Sequence, residues 1–184
     1  RIVEAALELL QEGGLANLTQ RKLATMLDMQ APALYWHFKN KEELVDYMAE
    51  AILQAEFKDF QPRSGDEPWQ DWLVKACQRL RRAMLAHRDG GRIVAGAHLD
   101  PAVTLMKFFE VCMESLTSAD VELRQASLII TTAVHFVFGN VIEQQASPSL
   151  EEIERLDPAK FFADYPMMAE SVKLVLKNAK AGHD

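Results

Sequence analysis

The nine residues at positions 30–38, Gln-Ala-Pro-Ala-Leu-Tyr-Trp-His-Phe, combine small side chains with aromatic ones. Tyr35 and His37 can hydrogen-bond phosphate oxygens, while Pro32 and Ala33 can contact the methyl groups of thymine. Upstream, Arg21 carries a planar fork of donors that matches O6 and N7 of guanine. Side chains of these types indicate a surface that binds the phosphate backbone of DNA and contacts base edges in the major groove.

The charge distribution restricts where such a surface can lie. The whole chain has 184 residues, a formal net charge of −7 and a pI near 5.3, so it has no overall basic footprint for nucleic acid. Around the candidate surface the balance is reversed: the cations Arg21, Lys22, Lys39 and Lys41 stand against the single carboxylate of Asp28. Any DNA binding must therefore depend on this local patch.

Three helices are predicted to position these side chains. An apolar stripe from Ile2 to Leu10 predicts a first helix that ends at Gly13-Gly14. Thr19 can cap a short second helix, and Asp28-Met29 can form a tight turn before a third helix over about residues 30–38. Two short helices joined by a tight turn form the helix-turn-helix pattern.

The same spacing of aromatic residues also fits an ordinary packed core, and Leu34 and Phe38 are expected to be buried in either case. A longer fourth helix follows, with Asn40 as its cap and Glu43 at the third position of a capping box.

Helical spacing continues to the end of the chain, and signals for strands are nearly missing. The prediction is an all-α fold of about nine or ten helices. They include helices over about 69–87, 121–145 and from about Tyr165 onward, and one that follows a break at 98–101 and ends near Leu116. The chain also has a break at 61–68 and a loop at 88–91. We expect a helix-turn-helix DNA-binding domain at 1–45 and a ligand-binding and dimerisation domain at 46–184.

The composition argues against several other classes of protein. The longest apolar stretch, Ala126 to Ile142, is interrupted by polar residues and predicts a buried helix rather than a membrane span. No targeting segment is visible in a chain that opens at Arg1, and the cysteines Cys77 and Cys112 form no disulfide framework. These features favour a cytoplasmic protein.

Catalytic and metal-binding patterns are not found in the sequence. The five histidines lie in unrelated segments without HExxH spacing, and no GxSxG or phosphate-binding glycine loop occurs. We therefore expect no enzyme activity, no cofactor and no metal.

The first 44 residues contain a dispersed set of characteristic positions: Ala5-Ala6, Leu9-Leu10, Gly14, Leu18-Thr19, Arg21, Leu23-Ala24, Leu34 to Lys41, and Leu44. Together they resemble the DNA-binding module of the tetracycline-repressor (TetR) family. The chain departs from many members at Asp28, where they carry glycine, although aspartate also tolerates left-handed geometry.

The resemblance implies roles for individual residues in the first domain. Thr19 and Lys41 would hold phosphates, and Arg21 would read a base. Residues 30–33 would face the groove, and residues 35–37 would clamp the backbone. The candidate DNA-contacting residues are Thr19, Arg21, Gln30, Ala31, Pro32, Ala33, Tyr35, Trp36, His37 and Lys41.

The segments at 69–73, 87–90 and 135–139 resemble the C-terminal domain of tetracycline repressors, which binds an inducer and forms a dimer bundle. The polar drug contacts and the magnesium-binding histidine of that branch are not matched. Apolar residues such as Val94 stand there, and only Glu143 corresponds to a polar contact. Since Val94 cannot bind a metal, we expect an inducer other than tetracycline with magnesium.

The apolar replacements predict a mainly hydrophobic pocket, although packed core gives the same pattern. Phe108 belongs to the same stripe, and His98, Glu110, Thr131 and His135 are polar candidates for orienting a ligand. The candidate ligand-contacting residues are Phe57, Phe60, Leu80, Met84, Val94, Phe109, Met113, Ile130, Val134 and Asn140.

The sequence thus predicts a transcriptional repressor that binds a palindromic operator in double-stranded DNA as a homodimer. A small, mainly hydrophobic inducer would release it. The alternative is a DNA-binding regulator without a small-molecule inducer, which is gated by a partner protein or acts constitutively.

Overall fold

The computed structural model describes residues 1–34, 36–98, 100, 102–146 and 163–180. Within these ranges the secondary structure is entirely helical, as predicted, and nine α-helices are present. They are α1 (Ile2–Asn17), α2 (Gln20–Met26), α3 (Ala31–Leu34), α4 (Lys41–Phe57), α5 (Trp69–Leu85), α6 (Gly90–Ala95), α7 (Val103–Thr117), α8 (Leu123–Ala146) and α9 (Pro166–Lys180).

The chain divides into two compact units, residues 1–145 and 146–184. The first unit contains α1 to α7 and nearly all of α8, and its core is continuous from Ala5 to Val141. The second unit contains α9, on which Met167 and Leu174 are exposed.

The first three helices pack around a small apolar core. Leu10, Leu23 and Leu34 come from different helices and are almost completely buried. The predicted end of α1 at Gly13-Gly14 is a kink instead, because both glycines leave helical geometry and one more turn follows to Asn17. Gly14 has a φ of 69°, which a residue with a Cβ adopts only at a cost.

Helix α4 runs through the predicted domain boundary at 45/46 without interruption. Asn40 caps it, since its side-chain oxygen accepts from the Glu43 backbone N–H at 2.8 Å. The Glu43 carboxylate accepts from the Lys39 N–H, one residue before the position a capping box requires. Helix α4 packs against α1, α5, α6 and α7. The boundary therefore stays a prediction, because one continuous helix belongs to both sides.

The loop predicted at 88–91 is wrong from Gly90 onward, because the short helix α6 begins there. Asp89 precedes it with a φ of 54°, and α5 ends at Leu85 rather than near His87. A Cβ on Gly90 would lie 2.1 Å from the carbonyl oxygen of Met84, so only glycine fits. Six residues are too few for helical periodicity to be recognised in sequence.

Helix α8 is long and apolar enough to cross a membrane by length and composition. Its buried residues follow helical spacing along one face, which packs into the core of the first unit: Ala126, Ile130, Val134, Val137 and Val141. Leu128 and Phe136 are exposed instead. The prediction of a buried helix therefore holds for one face only.

Candidate nucleic-acid interface and ligand cavity

The turn between α2 and α3 has the geometry that a helix-turn-helix needs. Asp28 adopts a φ of 52° there, so it takes the left-handed position that glycine often fills. The Met29 N–H reaches back to the carbonyl oxygen of Ala24 at 2.9 Å and closes the end of α2. Aspartate is therefore compatible with this turn.

Helix α3 is shorter than the predicted segment and covers only Ala31–Leu34. The chain continues in a tight turn, in which the His37 N–H donates to the carbonyl oxygen of Leu34 at 2.9 Å. Leu34 and Phe38 are both buried, as predicted. They anchor the two ends of this segment in the core, and Trp36 and His37 between them are exposed.

Most of the predicted DNA-contacting side chains lie on the surface of this unit. Trp36 is 88% exposed, which is unusual for the largest apolar side chain and marks a surface available to a partner. Ala33 is half-buried, whereas Tyr35 and the side chain of Ala31 lie outside the described residues. The exposed candidates are Thr19, Arg21, Gln30, Pro32, Trp36, His37 and Lys41.

Two of these residues also have a structural partner. The hydroxyl of Thr19 accepts from the Lys22 backbone N–H at 3.3 Å, which makes Thr19 the predicted cap of α2. The Lys41 ammonium donates to the carbonyl oxygen of Leu15 at 3.3 Å and retains two further protons for other acceptors. Both side chains are thus held in place at the edge of the exposed surface.

A second candidate site lies between α4 and α7. Three phenylalanine rings meet here: the Phe57 centroid is 5.0 Å from Phe60 and 5.3 Å from Phe108, in both cases edge to face. Phe60 and Phe108 are nearly parallel at 5.4 Å, and Trp72 stacks on Phe60. The three phenylalanine rings line a cavity of about 820 Å³, which is within the range of pockets for small ligands.

Arg79 fixes this aromatic cluster from the side of α5. Its guanidinium carbon lies 5.4 Å from the Phe57 centroid and 5.8 Å from that of Phe60. The same group donates to the Glu56 carbonyl oxygen at 2.8 Å and to the carboxylate of Asp59. The end of α4 is therefore attached to α5 both by hydrogen bonds and by contact with the rings.

The structure brings only part of the predicted ligand-contacting set to this cavity. Phe57 and Phe60 line it, together with Phe108, whereas Phe109 and Met113 are half-buried on α7 and do not. Asn140 is exposed and accepts from Arg81 at 3.3 Å. The remaining residues are fully buried among core side chains: Leu80, Met84, Val94, Ile130 and Val134.

The polar candidates do not converge on the cavity either. The His98 backbone N–H donates to the buried carboxylate of Asp46 at 2.9 Å, and the imidazole lies 3.1 Å from the same group. Glu110 and His135 are exposed, and Thr131 is half-buried. Among the described residues, His, Cys, Asp and Glu side chains form no group of three or more that could hold a metal ion.

Sequence reasoning missed the polar rim of the cavity. Lys58 and Gln54 project from α4, and Lys107 from α7. The sequence does indicate that Gln54 and Lys58 share a face of the helix, because they lie four residues, about one helical turn, apart. These residues resembled an ordinary solvated surface because nothing in the sequence placed α7 beside them.

A basic helix-turn-helix surface joined by one long helix to a bundle with an apolar cavity defines a DNA-binding regulator. The family comparisons agree with that class. Residues 2–48 match the model of the tetR family of bacterial regulatory proteins, and residues 61–182 match the tetracyclin repressor-like C-terminal domain.

The curated relatives include the class A tetracycline repressor from transposon 1721 of Escherichia coli. It is 40% identical over 80% of this chain, and the match covers 67% of that protein. The class C repressor of the same species is 41% identical over 79% of this chain and 65% of its own length.

Solved structures show the same fold. A possible TetR-family regulator from Streptomyces coelicolor A3(2) has a TM-score of 0.78 and 31% identity, covering 95% of this chain and 86% of its own. A TetR variant from Acinetobacter baumannii AYE, in complex with minocycline, has a TM-score of 0.72 and 34% identity over 100% of this chain and 93% of its own. BioQ with its double-stranded DNA operator has a TM-score of 0.69 and 31% identity, covering 79% of this chain and 86% of its own.

The chain belongs to the TetR family of bacterial transcriptional regulators, as its sequence predicted. It is a DNA-binding regulator with an N-terminal helix-turn-helix and a C-terminal domain of the tetracycline-repressor type. Proteins of this family are transcriptional regulators and not enzymes.

Proposed function

We propose that this protein is a repressor that binds a palindromic operator as a homodimer and is released by a small, mainly hydrophobic inducer. One observation carries this proposal. Helix α4 is a single continuous element that begins at the cap residue Asn40, beside the DNA-binding surface, and ends at Phe57 in the aromatic cavity. A displacement at the cavity therefore has a rigid route to the helix-turn-helix.

The DNA-binding part rests on the exposed basic face around α2 and α3. BioQ, which is related to this chain, is known in complex with its operator DNA. Arg21 would read a base, while Thr19, His37 and Lys41 would hold phosphates on either side of the groove. Such a surface on one protomer covers one half-site.

The homodimer is supported by the outer face of α8. Phe136 is 73% exposed and Leu128 is 69% exposed, and both line an apolar groove of about 770 Å³ between α5 and α8. Large exposed apolar patches mark interaction surfaces, and a two-fold interface needs the same patch on both subunits. The exposed face of α9 would supply further apolar contacts to the partner.

The inducer would act by changing the separation of the two DNA-binding surfaces. Successive major grooves on one side of the duplex are about 34–36 Å apart, so a small rotation of each α4 misplaces both surfaces. A ligand that presses on Phe57 and Phe60 would move the end of α4 against α7. A coupling of about 1–3 kcal/mol is sufficient to change occupancy of the operator substantially.

The inducer we propose is not tetracycline with magnesium, although one related TetR structure contains minocycline. Val94 is an apolar side chain that is fully buried in the core, and it offers no ligand to a metal. Since the protein acts on DNA, we place it in the cytoplasm.

The test is release of operator DNA. A palindromic duplex is first selected from random sequences with the purified full-length protein, and compounds are then screened by thermal shift. A compound at 100 times its dissociation constant stabilises the protein by about 2.7 kcal/mol. Compounds that stabilise the protein should also weaken operator binding, measured by fluorescence anisotropy.

Two results would contradict the proposal. Failure to select any duplex would exclude sequence-specific DNA binding by this chain. Operator binding that no stabilising compound weakens would instead favour the regulator without a small-molecule inducer.

A further inference from the structure

The cavity between α4 and α7 has an aromatic floor and a cationic rim. Phe57, Phe60 and Phe108 form the floor, and Lys58 and Lys107 lie beside them at the opening. Both lysines are exposed, and within the described part of the chain neither ammonium has a hydrogen-bond or ion-pair partner. Two unpaired cations at the edge of an apolar cavity favour a ligand of opposite charge.

The two helices run along the cavity in the same direction. Glu50 of α4 meets Thr104 of α7, and Phe57, seven residues further along α4, meets Phe108, four residues further along α7. Each lysine directly adjoins one of the rings in sequence, so both cations belong to the aromatic end. The cavity is therefore asymmetric, with a polar end at Glu50 and a cationic, aromatic end at Lys58 and Lys107.

The carboxylate that lines the cavity is held by hydrogen bonds at the end away from the two lysines. The Glu50 carboxylate accepts from the backbone N–H and the hydroxyl of Thr104, at 2.9 and 2.8 Å, and from the amide of Gln54 at 2.7 Å. The nearby carboxylate of Asp59 is bound to Arg79. Within the described residues neither acid forms an ion pair with Lys58 or Lys107, so the positive charge of both lysines stays at the aromatic end.

We propose that the ligand of this cavity is an organic anion with a flat apolar body, whose carboxylate is bound by Lys58 and Lys107. The body would lie against the half-buried ring of Phe60, which stacks on the fully buried ring of Phe108, and it would remove apolar surface from water there. This inference rests on the proposed function, because it names the chemical class of the inducer.

The selectivity for an anion follows from the same residues. A cationic ligand gains from the ring faces but is repelled by two ammonium groups, and a neutral ligand gains only the apolar contact. An exposed ion pair contributes a factor of about three to binding, so two lysines should favour an anion by about tenfold. Added salt should weaken this preference because the lysines are exposed to solvent.

The test compares three probes that share one ring system: naphthylacetate, naphthylacetamide and naphthylethylammonium. Equilibrium dialysis against the full-length dimer measures the affinity of each probe directly. The expected order is anion, then neutral amide, then cation, with about tenfold tighter binding of naphthylacetate than of the amide.

Four variants locate the effect. The double variant Lys58→Gln/Lys107→Gln should bind naphthylacetate about tenfold more weakly and the amide unchanged, whereas Lys58→Arg/Lys107→Arg should retain the preference. Lys75→Gln is the matched control, since Lys75 lies on α5, is paired with Glu67 and does not line the cavity. Ala55→Trp should block all three probes, because exposed Ala55 lines the cavity and a tryptophan would fill it.

The outcomes separate the ligand class from the proposed function. Equal binding of the three probes, no binding of any probe, or an unchanged preference in the Lys→Gln double variant overturns the anion proposal. Binding that survives Ala55→Trp places the site elsewhere and overturns it as well. If naphthylacetate binds as expected but leaves operator affinity unchanged, the ligand class stands and the proposed induction fails.

Discussion

Replacing Phe57 with alanine should both destabilise the protein and uncouple the cavity from the DNA-binding surface. Phe57 is only 7% exposed, and it packs edge to face against Phe60 and Phe108 and under the guanidinium of Arg79. Removing a buried phenylalanine costs about 3–5 kcal/mol, and this range already includes the lost ring contacts. The free energy of unfolding, measured by urea denaturation of the protein, should fall by that amount.

Coupling has to be measured apart from stability. The operator is titrated with and without a compound that releases the native protein, under conditions where each variant is folded. Phe57→Leu retains an apolar side chain and should cost only about 1–2 kcal/mol, yet it lacks the ring on which the ligand would press. We expect both variants to retain operator affinity and to lose most of a coupling that is about 5–150-fold in the native protein.

Phe109→Leu is the matched control on the neighbouring helix. Phe109 is half-buried, its ring lies 6.1 Å from Phe108, and it does not line the cavity. Its replacement should leave the coupling intact. Undiminished coupling in both Phe57 variants, or equal losses in Phe57→Leu and Phe109→Leu, would refute the assignment of Phe57 to the transmission path.

Three further predictions concern other parts of the molecule. Arg21→Ala should cost about 1–3 kcal/mol of operator binding and relax one base preference. Lys41→Ala should weaken binding to all duplexes and lower the salt slope by about one, and unchanged anisotropy titrations for both variants would exclude this surface. Phe136→Glu on α8 should yield monomers in sedimentation, whereas Gln70→Glu, an exposed change on α5, should not; a dimeric Phe136→Glu protein would remove that face from the interface. Burial lowers the pKa of His87 below its ordinary 6.5, so the folded protein resists protonation and its stability should fall as the pH drops below that value. Urea midpoints between about pH 5 and 8 should be flatter for His87→Gln, and identical profiles would contradict this role.

The sequence by itself determined the architecture of the DNA-binding unit. Caps, turns and apolar stripes act over a few residues, so they can be recognised locally: Thr19 caps α2, Asn40 caps α4, and Asp28 adopts the left-handed turn. The same signals predicted the bounds of α5, α7 and α8 within a few residues, and the burial of Leu34 and Phe38.

Only the tertiary structure decided which apolar residues line a cavity and which fill the core. Val94 and Leu80 have the same apolar character as Phe57, but long-range packing buries the first two completely and leaves Phe57 at a cavity wall. Helix α6 escaped prediction because its six residues are too few to show periodicity, and because Asp89 before it is held by a distant residue, the Leu15 N–H, which donates to its carboxylate at 2.8 Å. Periodicity reports that a side chain faces inward, but whether another atom or a void lies opposite depends on elements far away in the sequence. That Lys58 and Lys107 line the same cavity could likewise not be read from the sequence, because it depends on α4 and α7 packing together.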